Sequence, residues 1–334
     1  MGKYFFIYDV GPKSRLEWLA SAFSGKEVAW LVMKYNHKNR IYKWRRPLHF
    51  LGYMELACRA VLQSKSEDYI ISWNFIIGAF VCAICRLFGL KRTILSLNMI
   101  SHPKGGINAL IRKKTYDYVF SYRDFFLTVN SKETLSAYLK EYNLDSRKVT
   151  VLPDALLPEY KEKEFNFTDS YIFCGGEAQR DWLTFFQAAR LLPEYQFVGV
   201  ARKQFMPKEA VVPDNVKMYY DIDVERFDDL LAQASVVVLP LLSKMPAGLI
   251  VIFKSVLFSK PLIVTRTSSV ENYLKNEENA FLIDLGDAQS LADHIIRLKE
   301  SPILAESLTR NAKKSIEKYS PQAYSQTVYQ ICSA

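Results

Sequence analysis

Short apolar runs rich in β-branched and aromatic residues recur along this chain, each followed by a stretch with helical spacing. That alternation constrains the fold more than any other feature. Strand-like runs at Tyr4–Val10, Val28–Met33, Asp68–Trp73, Thr93–Asn98, Phe126–Val129 and Val149–Leu152 are interleaved with helical stretches. Those helical stretches are His49–Gln63, Ile76–Phe88, Ile107–Tyr122 and Lys132–Tyr142. A strand that feeds a helix and then another strand builds a parallel sheet covered on both faces. Residues 154–168 are charged and lack a clear period, which predicts a linker. A second series then starts, with strands at Tyr171–Cys174, Gln196–Ala201, Val216–Tyr219, Val236–Pro240 and Leu262–Thr265. Its helices are predicted at Trp182–Leu192, Val224–Ala234, Ser290–Glu300 and Leu304–Tyr319. The fold class is therefore α/β, with two doubly wound Rossmann-like domains facing across a cleft. The predicted division is residues 1–153, the linker 154–168, residues 169–320, and a tail 321–334 that can return to the first domain.

The segment Pro246–Glu271 carries the most chemistry. Gly248 has no Cβ, so backbone can approach a ligand closely there. The apolar stretch after it reads as a helix whose first N–H groups and partial positive charge suit a diphosphate. Pro261 stops that helix, and Leu262–Thr265 is a buried strand. The loop Arg266–Ser269 is predicted to face the same ligand, because open α/β sheets bind at their strand carboxyl ends.

Composition narrows the class. The chain has 334 residues, 49% hydrophobic and 14% aromatic, enough for large cores. Residues 1–150 carry 24 Lys and Arg against 11 Asp and Glu, and the remainder 20 against 24. A basic first half points to an anionic partner. The run Lys38–Arg46 and the cluster Arg112-Lys113-Lys114 are predicted to attract an anionic membrane surface or to form solvated basic loops. No nucleic-acid module is recognised. The longest apolar run, Phe75–Cys85, has eleven residues, too few to span a bilayer, where about 20 are needed. With no secretory signal evident, a cytoplasmic protein is expected, peripheral on the inner membrane face if the basic clusters act. Cys58, Cys82, Cys85, Cys174 and Cys332 form no framework, and the Cys82–Cys85 pair sits in an apolar run, so buried reduced thiols are expected.

Several marks occur together in the second half. They are Cys174-Gly175-Gly176 leading to Arg180 and Trp182, Ala234–Pro240, Pro246-Ala247-Gly248 through Pro261, and Asn279–Ile283 with Gly286-Asp287. In this order they resemble the donor half of GT-B glycosyltransferases of the family 4-like group (glycosyl transferases group 1), over about residues 170–320. Asn279–Ile283 is read as that group's closing turn. Thr128–Glu133 and Val149–Asp154 resemble the end of the family's acceptor domain, although only Gly11 follows the first strand. The resemblance implies transfer of a sugar, with a retaining outcome, from a nucleotide-diphosphate donor such as a UDP- or GDP-sugar. No other cofactor is implied, and the route is cell-surface polysaccharide or glycoconjugate synthesis. The acceptor would be a glycan or a lipid-linked glycan.

Two positions depart from the family. Many relatives carry a glutamate three residues before the glycine and another on the helix, where this chain has Met245 and Lys254. Lysine cannot accept the hydrogen bonds of a ribose, but it can meet phosphate or an acidic sugar. Ser268-Ser269 stands where relatives often carry a glycine pair. The candidate donor-binding residues are Gly175, Gly176, Arg180, Lys203, Lys244, Gly248, Leu249, Lys254, Ser268, Ser269 and Glu271. Arg180 is the candidate phosphate clamp and leaving-group stabiliser. Asp9, ending the first strand, and His102, after the fourth, are the candidates for acceptor chemistry. Asp221-Ile222-Asp223 has a metal-motif spacing but is predicted to start a helix, so no metal is expected. The alternative is a noncatalytic GT-B subunit that binds glycan or stabilises a partner glycosyltransferase.

Overall fold

The computed structural model describes residues 2–10, 16–34, 46–99, 107–158, 160, 171–176, 179–243 and 247–333. Two compact units emerge: residues 1–155 with 321–334, and residues 156–320. Chain contacts mark the passage sharply. Ala155 is buried in the first unit's core, while Leu156 donates its N–H to Tyr319 O at 2.9 Å in the second.

The first unit runs β1 (Tyr4–Val10), β2 (Val28–Lys34), α1 (Arg46–Gln63), β3 (Tyr69–Ser72), α2 (Phe75–Leu87) and β4 (Thr93–Ser96). It continues with α3 (Ile107–Phe120), β5 (Phe125–Val129), α4 (Lys132–Glu141) and β6 (Val149–Val151). Its six strands are all parallel, in the order β2-β1-β3-β4-β5-β6. The apolar run at 75–85 is α2, a core helix capped by Asn74, whose side chain accepts from Ile76 N. Burial there pushes the Cys82 thiol up to about 12 and Cys85 up to about 11, so the C-x-x-C pair is inert packing. Among the described residues no helix is long and apolar enough to cross a membrane.

The second unit runs β7 (Ile172–Gly176), α5 (Trp182–Leu191), β8 (Phe197–Ala201), β9 (Val216–Tyr220), α6 (Val224–Ala232) and β10 (Val236–Leu239). Then follow α7 (Leu249–Leu257), β11 (Leu262–Thr265), α8 (Ser268–Glu271), β12 (Phe281–Ile283), α9 (Ala288–Glu300) and α10 (Pro302–Ile316). The sheet order is β12-β11-β10-β7-β8-β9, again all parallel. Every residue of β10 and β11 is buried, as continuous Val, Ile and Leu runs require when helices cover both faces. The helices start on capping side chains: Asp181, Asp223, Asp287 and Ser301 each accept from a first-turn N–H, and Pro302 opens α10.

Three sequence expectations are corrected. Asn279–Ile283, expected as a turn, contains the strand β12, which pairs with β11. Arg266–Ser269, expected as a loop, ends in α8, whose cap is Thr267, accepting from Val270 N. The stretch 321–334, expected as a tail, forms α11 (Pro321–Ser333). That helix belongs to the first unit, where Tyr324, Val328 and Cys332 pack with Tyr4, Phe6, Leu19 and Phe23. Ser325 locks it, donating to Leu19 O at 2.7 Å and accepting from Ala22 N at 3.0 Å. Tyr324 donates to Asn98 Oδ1 at 3.2 Å. Beside this helix, burial raises Asp154 to about 6 despite its hydrogen bond with Asn130.

Candidate functional site

Each sheet reverses its winding at one place, and a parallel sheet opens a ligand crevice at such a point. In the second unit it lies between β7 and β10. The strand ends are stitched there by Asp181 N to Pro240 O at 2.9 Å and Leu242 N to Gln179 O at 3.2 Å.

Arg180 occupies this crevice. It is 5% exposed, and its Nε donates to Gly175 O at 2.7 Å. Gly176 has φ +141°, and a Cβ built there would stand 2.7 Å from Arg180 Cζ. Gly248 has φ +82°, and its Cβ would stand 3.7 Å from both terminal nitrogens of the same guanidinium. The two glycines therefore flank the slot that holds Arg180, and a side chain at Gly176 would force the guanidinium to shift. Burial lowers the guanidinium's pKa, yet an arginine stays charged. Gly248 also begins α7 without a side-chain cap. The first-turn N–H groups of α7 thus lie beside a buried cation, and both features favour an anion.

A pocket of about 370 Å³ opens next to this slot, lined by Gly176, Arg202, Asp221, Phe227, Ile250 and Lys254 among others. Arg202 was not singled out from sequence. It follows β8 and lies 3.9 Å from Asp221, while its neighbour Lys203, the expected cation, is exposed and does not line the pocket. Their adjacency is why sequence could not choose between them. Leu249 packs on the unit's core, and Ile250 takes the place at the pocket. Lys254 reaches the pocket wall, but its ammonium is bound to Asp228 on α6 at 2.7 and 2.9 Å. It also lies 5.5 Å from the centre of the Tyr160 ring. Its charge is already met within the protein.

Beyond β11, the Ser269 hydroxyl is 1% exposed and has no hydrogen-bond partner among the described residues. Ser268 precedes it at the start of α8. Glu271 turns elsewhere: it pairs with Arg266 at 3.1 Å and lines a separate depression with Asn272 and Lys275. Asp223 is used as the α6 cap, accepting from Arg226 N at 2.7 Å. Lys244 and Met245 lie outside the described residues.

In the first unit the reversal falls between β1 and β3. Asp9, near the end of β1, accepts from Tyr53 OH at 2.7 Å. Tyr53 OH accepts from Asn74 Nδ2 at 3.1 Å and meets His49 Nε2 at 2.8 Å. Since the phenol proton goes to Asp9, Nε2 is the donor in its contact with Tyr53, which assigns the His49 tautomer from the network. His49 Nε2 is 3.8 Å from Asp9 Oδ2, and the two side chains are 11% and 8% exposed. His49 and Tyr53 were missed in the sequence, though their i,i+4 spacing on the predicted helix was a usable signal. His102 and Lys38–Arg45 lie outside the described residues. The second basic cluster is partly neutralised: Arg112 reaches Glu141 at 3.3 Å and Lys113 reaches Asp117 at 3.1 Å.

Comparison with known proteins agrees with this layout. Residues 195–315 match the family model "Glycosyl transferases group 1", which supports the resemblance read from sequence over that stretch of the second unit. Curated proteins give no match by sequence comparison. Among solved structures, Anabaena HepE in complex with UDP-glucose superposes with a TM-score of 0.70 at 15% identity, covering 99% of each chain. Sucrose-phosphate synthase from Thermosynechococcus elongatus gives 0.73 at 15% identity, covering 100% of this chain and 98% of that one. α,α-Trehalose 6-phosphate synthase from Burkholderia multivorans gives 0.70 at 10% identity, over 100% and 97%. At these identities the likeness establishes the fold, the two-part α/β class of GT-B proteins.

Proposed function

We propose that this protein is a glycosyltransferase that moves a sugar from a nucleoside-diphosphate donor to a hydroxyl acceptor. The observation that carries this reading is the Arg180 guanidinium, held between Gly176 and Gly248 beside the open N-terminus of α7. A buried cation and unpaired helix N–H groups stabilise a leaving diphosphate where its charge develops. In this reading the diphosphate is met by protein donors without a metal. The Ser269 hydroxyl supplies a further donor at the same sheet edge, Arg202 a cation at the pocket wall, and the sugar outcome is retaining. HepE was solved with UDP-glucose, which puts UDP-sugars first among the donors to test, with GDP-sugars second. The first unit holds the acceptor, a glycan or lipid-linked glycan in cell-surface polysaccharide synthesis. There the Asp9–Tyr53–His49 network orients the incoming hydroxyl. The protein works in the cytoplasm, against the inner membrane face where its acceptor is lipid-linked.

Titration calorimetry with UDP and GDP tests the donor site. Binding by the wild type that Arg180→Ala abolishes is the expected result. A folded wild type that binds no nucleoside diphosphate would overturn the reading. One observation favours a second reading, a noncatalytic subunit that binds glycan or supports a partner enzyme. Lys254, where relatives carry a carboxylate, is consumed by Asp228 and contributes only packing and charge balance. Binding of UDP-glucose without hydrolysis or transfer to any glycan would select that alternative.

A further inference from the structure

A second cavity lies away from the donor crevice. It is a cleft of about 780 Å³ at the opposite edge of the second sheet, where Val236 begins β10 and Pro261 precedes β11. A four-residue strand separates the two edges, about 13 Å at 3.3 Å per residue. The volume is that of a site for a small organic ligand.

Its floor is apolar, formed by Val236 and Pro261 from the sheet and by Leu298 and Ala305 from α9 and α10. Its rim is cationic. Lys299, Arg310, Lys313 and Lys314 stand around it, against one acid, Glu306. No carboxylate lies within ion-pair distance of Arg310, Lys313 or Lys314 among the described residues. Lys299 is placed near the Tyr195 ring, 5.9 Å from its centre, and has no carboxylate partner either. Beside the mouth, Ile303 is 83% exposed, next to the lining residue Pro302. An uncharged hydrophobe would leave this rim unused, and a simple anion would leave the floor unused. The complementary ligand carries an alkyl chain and an anionic head.

We infer that this cleft is a binding site for an anionic amphiphile, its chain on the Val236–Pro261–Leu298–Ala305 floor and its phosphate or carboxylate on Arg310, Lys313 and Lys314. It is independent of the donor crevice, and it holds whether the protein transfers sugars or only binds them. The ligand comes either from a bilayer, as an anionic phospholipid, or from solution, as a free acyl or alkyl acid.

Calorimetry of the full chain with dodecyl phosphate, below its micelle concentration, reads the site directly. One-to-one binding is expected, with dodecyl maltoside at least tenfold weaker and inorganic phosphate silent. Ala305→Trp, which fills the cleft, and the double variant Arg310→Glu/Lys313→Glu, which reverses the rim, should each weaken dodecyl phosphate at least tenfold. The charge variant serves as the test if the tryptophan variant fails to fold. Flotation with phosphatidylglycerol–phosphatidylcholine vesicles separates the sources. Co-flotation lost in either variant identifies a lipid drawn from the bilayer, and dodecyl phosphate binding without co-flotation identifies a free amphiphile. Equal binding of inorganic phosphate and dodecyl phosphate, binding untouched by both variants, or no binding of either probe would overturn the inference.

Discussion

The two sheets share one construction and differ in what they place at its reversal point. Between β7 and β10 stands a buried arginine in a glycine slot at a helix start; between β1 and β3 stands a carboxylate sharing a phenol proton with a histidine nearby. One edge presents a cation and a helix start, features that favour an anion arriving already charged. The other has groups that accept and donate protons, suited to a neutral hydroxyl. Topology fixes where a site can be, and the side chains at the strand ends decide which chemistry it performs.

The sharpest way to break this contrast is to remove one polar group from each side. Arg180→Ala should lower kcat/KM for the sugar donor by about 10²–10³, as loss of a preorganised donor does, and UDP calorimetry should show the same loss. Tyr53→Phe should lower kcat by at least about tenfold through loss of proton positioning, while UDP affinity stays unchanged. If both variants lost UDP binding alike, the two edges would not be chemically distinct. Next comes the lysine at the pocket beside Arg180. Lys254→Met leaves Asp228 half-buried and unpaired, which should cost about 2 kcal/mol in urea unfolding. The double variant Lys254→Met/Asp228→Leu should recover most of that. An unchanged midpoint in the single variant would return Lys254 to the ligand.

A smaller effect belongs to the first unit alone. Asp154 has a folded pKa of about 6, above its ordinary 3.8, because burial disfavours its charged form. Between those values the unfolded chain gives up the proton while the folded one keeps it. Stability therefore falls as pH rises from about 4 to about 6 and then levels. Asp154→Asn should be more stable than wild type by about 3 kcal/mol at pH 7, at 1.36 kcal/mol per pKa unit, and close to it near pH 4. Chemical denaturation across that range measures it. The smallest signal is chemical: with Cys82, Cys174 and Cys332 each pushed up to about 12, the folded protein at pH 8 should expose at most the half-buried Cys58 to a thiol reagent.

The sequence made the strands legible because a strand buried on both faces must be written in Val, Ile, Leu and Phe. β10 and β11 could hardly be read otherwise. Gly176, Arg180 and Gly248 were legible as a set because the turn, the cation and the helix start recur in order. Side-chain partnerships were not. Asp9 meets Tyr53 across 44 residues, and Lys254 meets Asp228 across 26, distances over which a pattern of spacing carries no information. The choice between Lys203 and Arg202 turned on the direction of one short turn after β8. α8 escaped because four residues give no period to detect, and only the Thr267 cap marks it.

The return of α11 to the first unit has a bearing on how the chain is made. Residues 156–320 form one uninterrupted stretch, so the second unit can assemble as soon as it leaves the ribosome. The first unit is synthesised earlier yet closes later. Ser325 must find Leu19 and Ala22 across 306 and 303 residues, and until it does Tyr4, Phe6 and Phe23 lack their cover. Closing so distant a contact is slow. The nascent first unit thus carries an exposed aromatic face through most of translation, and this is where a chaperone would be expected to bind.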